Sequence, residues 1–147
     1  MSLITDIAAI VTNLYPDSTF VLSSKFHANT TAFLTELNAL PLIILDNELS
    51  KNPSIQKNNN VLKDSKIVIT FLNLDSFDNT DNQSEAIRQA MEDMADRVAV
   101  KIYHELPVRL TGSNQTYKTT PMFHMFSSNM TGVALEMNVK YNEIVEF

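Results

Sequence analysis

The chain has no cysteine, no tryptophan and only two glycines in 147 residues. Each shortage removes a class of chemistry. Without cysteine there is no disulfide framework, no thiolate nucleophile and no Cys-ligated zinc site. With Gly112 and Gly132 as the only glycines, a glycine-rich phosphate cradle of the P-loop or dinucleotide-binding kind cannot be built. Charge is scarce as well. Charged residues make up 19% of the chain, the 11 basic ones are scattered, and the formal net charge is −6. A protein that grips nucleic acid by its phosphates needs a positive footprint, so stable DNA or RNA binding is not expected. An acidic wall along which DNA slides without sticking remains compatible with this balance. No apolar run approaches the roughly 20 residues of a membrane-spanning helix. The opening residues lack the basic segment of a secretory signal and carry Asp6 inside their apolar pattern.

With 44% hydrophobic residues, the chain has enough apolar material for one domain with a real core, expected over residues 1–147. Leu3, Ile7, Ile10, Val11 and Leu14 share a helical face, and Pro16 ends that segment. Residues 18–26 read as a strand and 31–40 as a short helix. Pro41 opens a short apolar run, Leu42-Ile43-Ile44-Leu45, that reads as a strand buried on both faces. Residues 46–64 are polar and Asn-rich. Strands on either side make an extended arm or hairpin, centred near residues 50–64, the preferred reading over a linker.

Residues 66–74 are apolar on both faces and predict a central strand. An Asp/Asn-rich turn leads into a long acidic helix over 81–105. Thr80 and Gln83 have capping-box spacing, and Ile87, Met91, Met94, Val98 and Ile102 form a stripe. Its acids lie towards the N-terminal half and Arg97, Lys101 and His104 towards the C-terminal end, as the helix dipole favours. A polar loop is expected over 110–120, a strand over 121–126, a turn over 127–132 and an alternating strand over 133–141, the last two strands forming a hairpin. The class is α+β: a mixed, mostly antiparallel sheet of about four to six strands with two or three helices packed on it.

Little of this points to catalysis. His27, His104 and His124 fall in different elements without metal-ligand spacing. Asp75, Asp78 and Asp81 repeat every three residues, but no glycine accompanies them and a calcium loop would need one. Turn formation and helix capping explain them. No catalytic, cofactor-binding or metal-binding residue is expected, and the chain does not read as an enzyme. Met91, Met94, Met122, Met125, Met130 and Met137 suit an adaptable core first and a subunit contact second.

The apolar run Pro41–Leu45, the polar arm, the strand Lys66–Asp75, the acidic helix Asp81–Glu105, and Phe126, Asn129, Gly132 and Val133 before the last strand together resemble small phage neck and tail-completion proteins. Tail terminator proteins are the most similar type. The resemblance covers residues 40–141 and implies a structural virion protein assembled in the host cytoplasm. In that family copies close into a ring, usually a hexamer, on the last tail-tube ring. The ring stops tube growth and presents a surface to the neck and connector proteins, while DNA passes through the lumen without specific binding. A ring needs two different complementary patches on each subunit. The candidates are Ile55, Gln56, Lys57, Asn58 and Val61 on the arm, and Leu110, Asn114, Tyr117 and Lys118 on the later loop. A small non-catalytic adaptor with one protein partner is the alternative. Neither reading involves a membrane.

Overall fold

Two 15-residue strands, Asn60–Leu74 (β4) and Met130–Ile144 (β7), pair antiparallel along their whole length. They form the spine of the protein. The computed structural model describes residues 3–22, 41–46, 51–76, 78–110, 116–125 and 129–144. In chain order the elements are α1 (Leu3–Leu14), β1 (Thr19–Leu22), β2 (Leu42–Leu45), β3 (Lys51–Ile55), β4, α2 (Asp81–Glu105), β5 (Val108–Leu110), β6 (Lys118–Met125) and β7. The expected helix over 31–40 lies outside the described residues.

The fold is α+β with a mixed sheet, as the patterning predicts. Hydrogen bonding defines seven strands among the described residues, yet the sheet is only five strands across, in the order β1-β2-β4-β7-β5. Strands β2 and β3 lie end to end along one flank of β4. Strands β5 and β6 share the outer flank of β7 in the same way. Every described pair is antiparallel except β1 with β2.

One face of the sheet carries the main core. Ile67, Ile69 and Phe71 of β4, and Val133, Leu135, Met137 and Val139 of β7, pack with α1 and α2. Helix α2 buries Met91, Ala95, Val98, Ala99 and Ile102. Its capping box is complete: Gln83 N–H donates to Thr80 Oγ1 (3.3 Å) and Thr80 N–H donates to Gln83 Oε1 (2.7 Å). Strand β2 is buried on both faces. Leu42 and Ile44, facing away from that core, form a second small cluster with Leu72 and Met130.

Three expectations need correction. The hairpin expected near 50–64 is formed by β3 and β4, but the strand expected from Lys66 already begins at Asn60, because β3 and β7 supply hydrogen-bond partners on both sides. Leu110 and Lys118 lie in strands β5 and β6 rather than in a loop. The last strand, expected from Val133, already begins at Met130, within the expected turn over 127–132. Gly132 therefore sits inside a ladder, between Leu72 of β4 and Met122 of β6. A Cβ there would collide with the Phe71 carbonyl, so this glycine serves a close backbone approach and not a turn.

Candidate functional site

The candidate arm residues lie on the β3–β4 hairpin. Ile55 pairs with Val61, and Gln56 N–H donates to the Asn60 carbonyl (2.8 Å). Asn58 and Asn59 turn the chain with φ of 66° and 61°, a left-handed conformation that asparagine tolerates better than most side chains. Gln56, Lys57 and Asn58 are exposed and Val61 is half-buried. Ile55 is 91% exposed. A large aliphatic side chain held in water by a well-formed turn is the least satisfied apolar group in the described structure. Pro53 sits in β3, the edge strand, where it blocks further strand pairing.

The other candidates lie across the sheet. At the level of the arm the strands run β3-β4-β7-β5, so Leu110 belongs to the opposite edge. Leu110 and Tyr117 meet Ala99, Val100, Tyr103 and His104 of α2 in a shallow groove of about 180 Å³. Val100, Tyr103 and Tyr117 are 51%, 37% and 38% exposed. Tyr117 donates its hydroxyl to Asp96 Oδ1 (2.7 Å). Burial, that hydrogen bond and the nearby carboxylates of Asp96 and Glu92 push the phenol up to about 12. Lys118 is exposed at the start of β6. Asn114 lies outside the described residues. The structure thus joins two of the loop candidates to a helix face that sequence reading passed over. Val100 and Tyr103 are three positions apart on the exposed side of α2, and that spacing was the available signal.

A second cluster closes the other end of the β4–β7 ribbon. Asp75, whose side chain has no solvent exposure, follows β4 directly. Its Oδ1 accepts from Ser76 N–H (2.7 Å) and Asn79 Nδ2 (2.6 Å), and its Oδ2 accepts from the Thr131 hydroxyl (2.6 Å). Ser84, in the first turns of α2, is buried beside the carboxylate; its hydroxyl helps hold the charge without closing a hydrogen bond of good geometry. Burial alone would raise this carboxyl. The donors from Thr131, Ser84, Asn79 and Ser76 outweigh it and hold Asp75 well below the usual carboxylate range.

The His124 backbone N–H donates to Thr131 Oγ1 (3.2 Å), and its ring Nδ1 lies 2.7 Å from Asn129 Oδ1 and 3.7 Å from Asp75 Oδ2. His124 and Asn129 have φ of 51° and 56°, beside a register shift in β6. The residue types invite comparison with a Ser-His-Asp triad, but the order is wrong. The serine adjoins the carboxylate, whereas a triad places the imidazole between the two. The cluster ties strand ends to the start of α2. Among the described residues no group of three or more His, Asp or Glu side chains is placed to hold a metal ion. No described helix is long and apolar enough to cross a membrane.

No protein-family model matches the chain, and a comparison with curated proteins returns no match.

Proposed function

We propose that this chain is a structural subunit of a phage head–tail junction: a tail-terminator-like protein whose copies close into a ring that ends the tail tube and joins it to the neck. The observation that carries the reading is the placement of two unlike surfaces on opposite edges of one sheet. The hairpin tip projects from the β3 side, and the α2 groove lies on the β5 side. A heterologous interface that closes by rotation needs two such patches on every copy. The order of elements around β4 and α2 supports the same reading through its likeness to tail terminators. The acidic balance of the chain suits a lumen through which DNA passes without being held. The role is structural and non-catalytic, and the partners are further copies, the tail tube and the neck or connector.

Native mass measurement and negative-stain imaging of the purified chain test this directly. The expected result is a closed ring of defined copy number, six by analogy with the family. A strict monomer at all concentrations, or a one-to-one complex with a single non-virion protein, would overturn it in favour of the adaptor reading.

A further inference from the structure

We infer that the hairpin tip of one copy seats in the α2 groove of the next, with Ile55 as the buried anchor. This rests on the ring reading and names the two surfaces that make the ring. Four observations converge on a second copy as the occupant.

The first is the complementarity of shape. Ile55 is a single aliphatic side chain, 91% exposed on a tip otherwise made of Ser54, Gln56, Lys57, Asn58 and Asn59. The groove holds about 180 Å³ and is lined mainly by apolar atoms of Val100, Tyr103, Leu110 and Tyr117. Small-molecule sites usually run to about 300–1,000 Å³. This one is sized for one or two side chains.

The second is charge. Residues 51–64 contain Lys51, Lys57 and Lys63 against the single acid Asp64, in a chain of net charge −6. Lys57 is at the exposed tip. The groove is flanked by Asp96, which accepts from the Tyr117 hydroxyl; Glu92, further along the helix, is paired with Arg88. Lys57 at the tip and Asp96 beside the groove are of opposite sign, and two Lys57-bearing tips repel each other, which favours head-to-tail over symmetric pairing.

The third is topology. Tip and groove lie on opposite edges of the sheet, Leu110 level with the base of β3 and Ile55 four residues further along the ladder. One copy therefore offers its tip forward and its groove backward. The fourth is the protected edge. Pro53 in β3 and Pro121 in β6 interrupt the outer strands, so side-chain docking is favoured over continuation of the sheet between copies.

The absence of native cysteine makes the test clean. Ile55→Cys and Val100→Cys are both exposed substitutions, and a disulfide reports approach of the two Cα atoms to within about 7 Å. On mild oxidation the double variant should give a covalent ladder ending in a closed species. A mixture of the two single variants should stop at linked dimers, and neither single variant alone should cross-link. Separately, Ile55→Asp should weaken association about thirtyfold, the loss expected of a buried anchor. Oligomers by native mass that give no tip-to-groove cross-link would overturn this pairing while leaving the ring reading standing. A cysteine-free parent that stays monomeric at every concentration would overturn both.

Discussion

The two ends of the β4–β7 ribbon are built from the same two strands and have opposite chemistry. At one end Asp75, Thr131, Asn79 and Ser84 bury a charged, hydrogen-bonded knot against the start of α2, and Gly132 lets β7 approach Phe71 closely. At the other end the ribbon runs on past the helices into a hairpin whose tip is exposed from Ser54 to Asn59. A continuous antiparallel ladder joins them. The difference teaches how one pair of strands can be fixed at one end and left in solvent at the other. The knotted end sets register and anchors the strands, and the free end holds Ile55 and Lys57 in solvent, where the proposed ring would use them for contact.

Substitutions at the two ends should therefore read out in different experiments. The largest effect on folding is expected at Gly132. Gly132→Ala forces a methyl into the Phe71 carbonyl and should cost about 3 kcal/mol, at the upper end for overpacking. Urea unfolding of the variant checks this, and a midpoint unchanged from the parent would break the account of the knotted end.

Next comes Asp75→Asn, which replaces an acceptor surrounded by donors with a group that is itself half donor. A loss of about 2 kcal/mol at neutral pH is expected from the unpaired Thr131 and Asn79 groups. Its pH dependence sharpens the point. The folded-state pKa of Asp75 is depressed, so the stability it contributes is present above its unfolded value near 4 and is lost as pH falls from there through the lower folded value. The gap between parent and variant should be full at pH 7 and shrink steadily below about pH 4. A gap independent of pH would show that the carboxylate charge is not what the cluster holds.

The smallest folding effect belongs to the free end. Ile55→Asp should shift thermal stability by no more than about 0.5 kcal/mol, the usual range for exposed positions, even as it weakens association. Differential scanning calorimetry in dilute solution separates the two. A large stability loss there would mean that Ile55 packs within its own subunit.

How much of this was legible beforehand varies by element. Helix α2 was readable almost to the residue, because Thr80 and Gln83 cap it, a periodic stripe runs through it and Pro107 follows it. Strand β2 was readable as a doubly buried run, and the central part of β7 from its strict alternation. The early part of β4 was not. Asn60, Lys63, Asp64 and Ser65 have weak strand preference, and they are extended because β3 and β7 flank them. The Asp75 cluster was invisible for another reason. It joins positions 75, 79, 84, 124, 129 and 131, and no periodicity or local spacing links the two groups of residues. His124 fits a simple alternation with Met122 in sequence, yet the register shift in β6 turns its backbone to a φ of 51°.

The candidate interface divides along the same line. Ile55, Lys57, Leu110 and Tyr117 could be named from an unusual polar stretch and a loop, but their partition between two edges of one sheet could not. The sequence by itself determined the elements whose signals are local: the capped amphipathic helix, the doubly apolar strands and the Asn-rich turn, where side-chain period and backbone preference act within a few residues. Only the tertiary structure decided that β3 and β5 lie on opposite flanks of the β4–β7 ribbon, that Val100 and Tyr103 complete a groove with Leu110 and Tyr117, and that His124 comes within 3.7 Å of the buried Asp75 carboxylate. The physical reason is that strand order and groove formation depend on which distant segments exchange hydrogen bonds and bury one another's apolar faces.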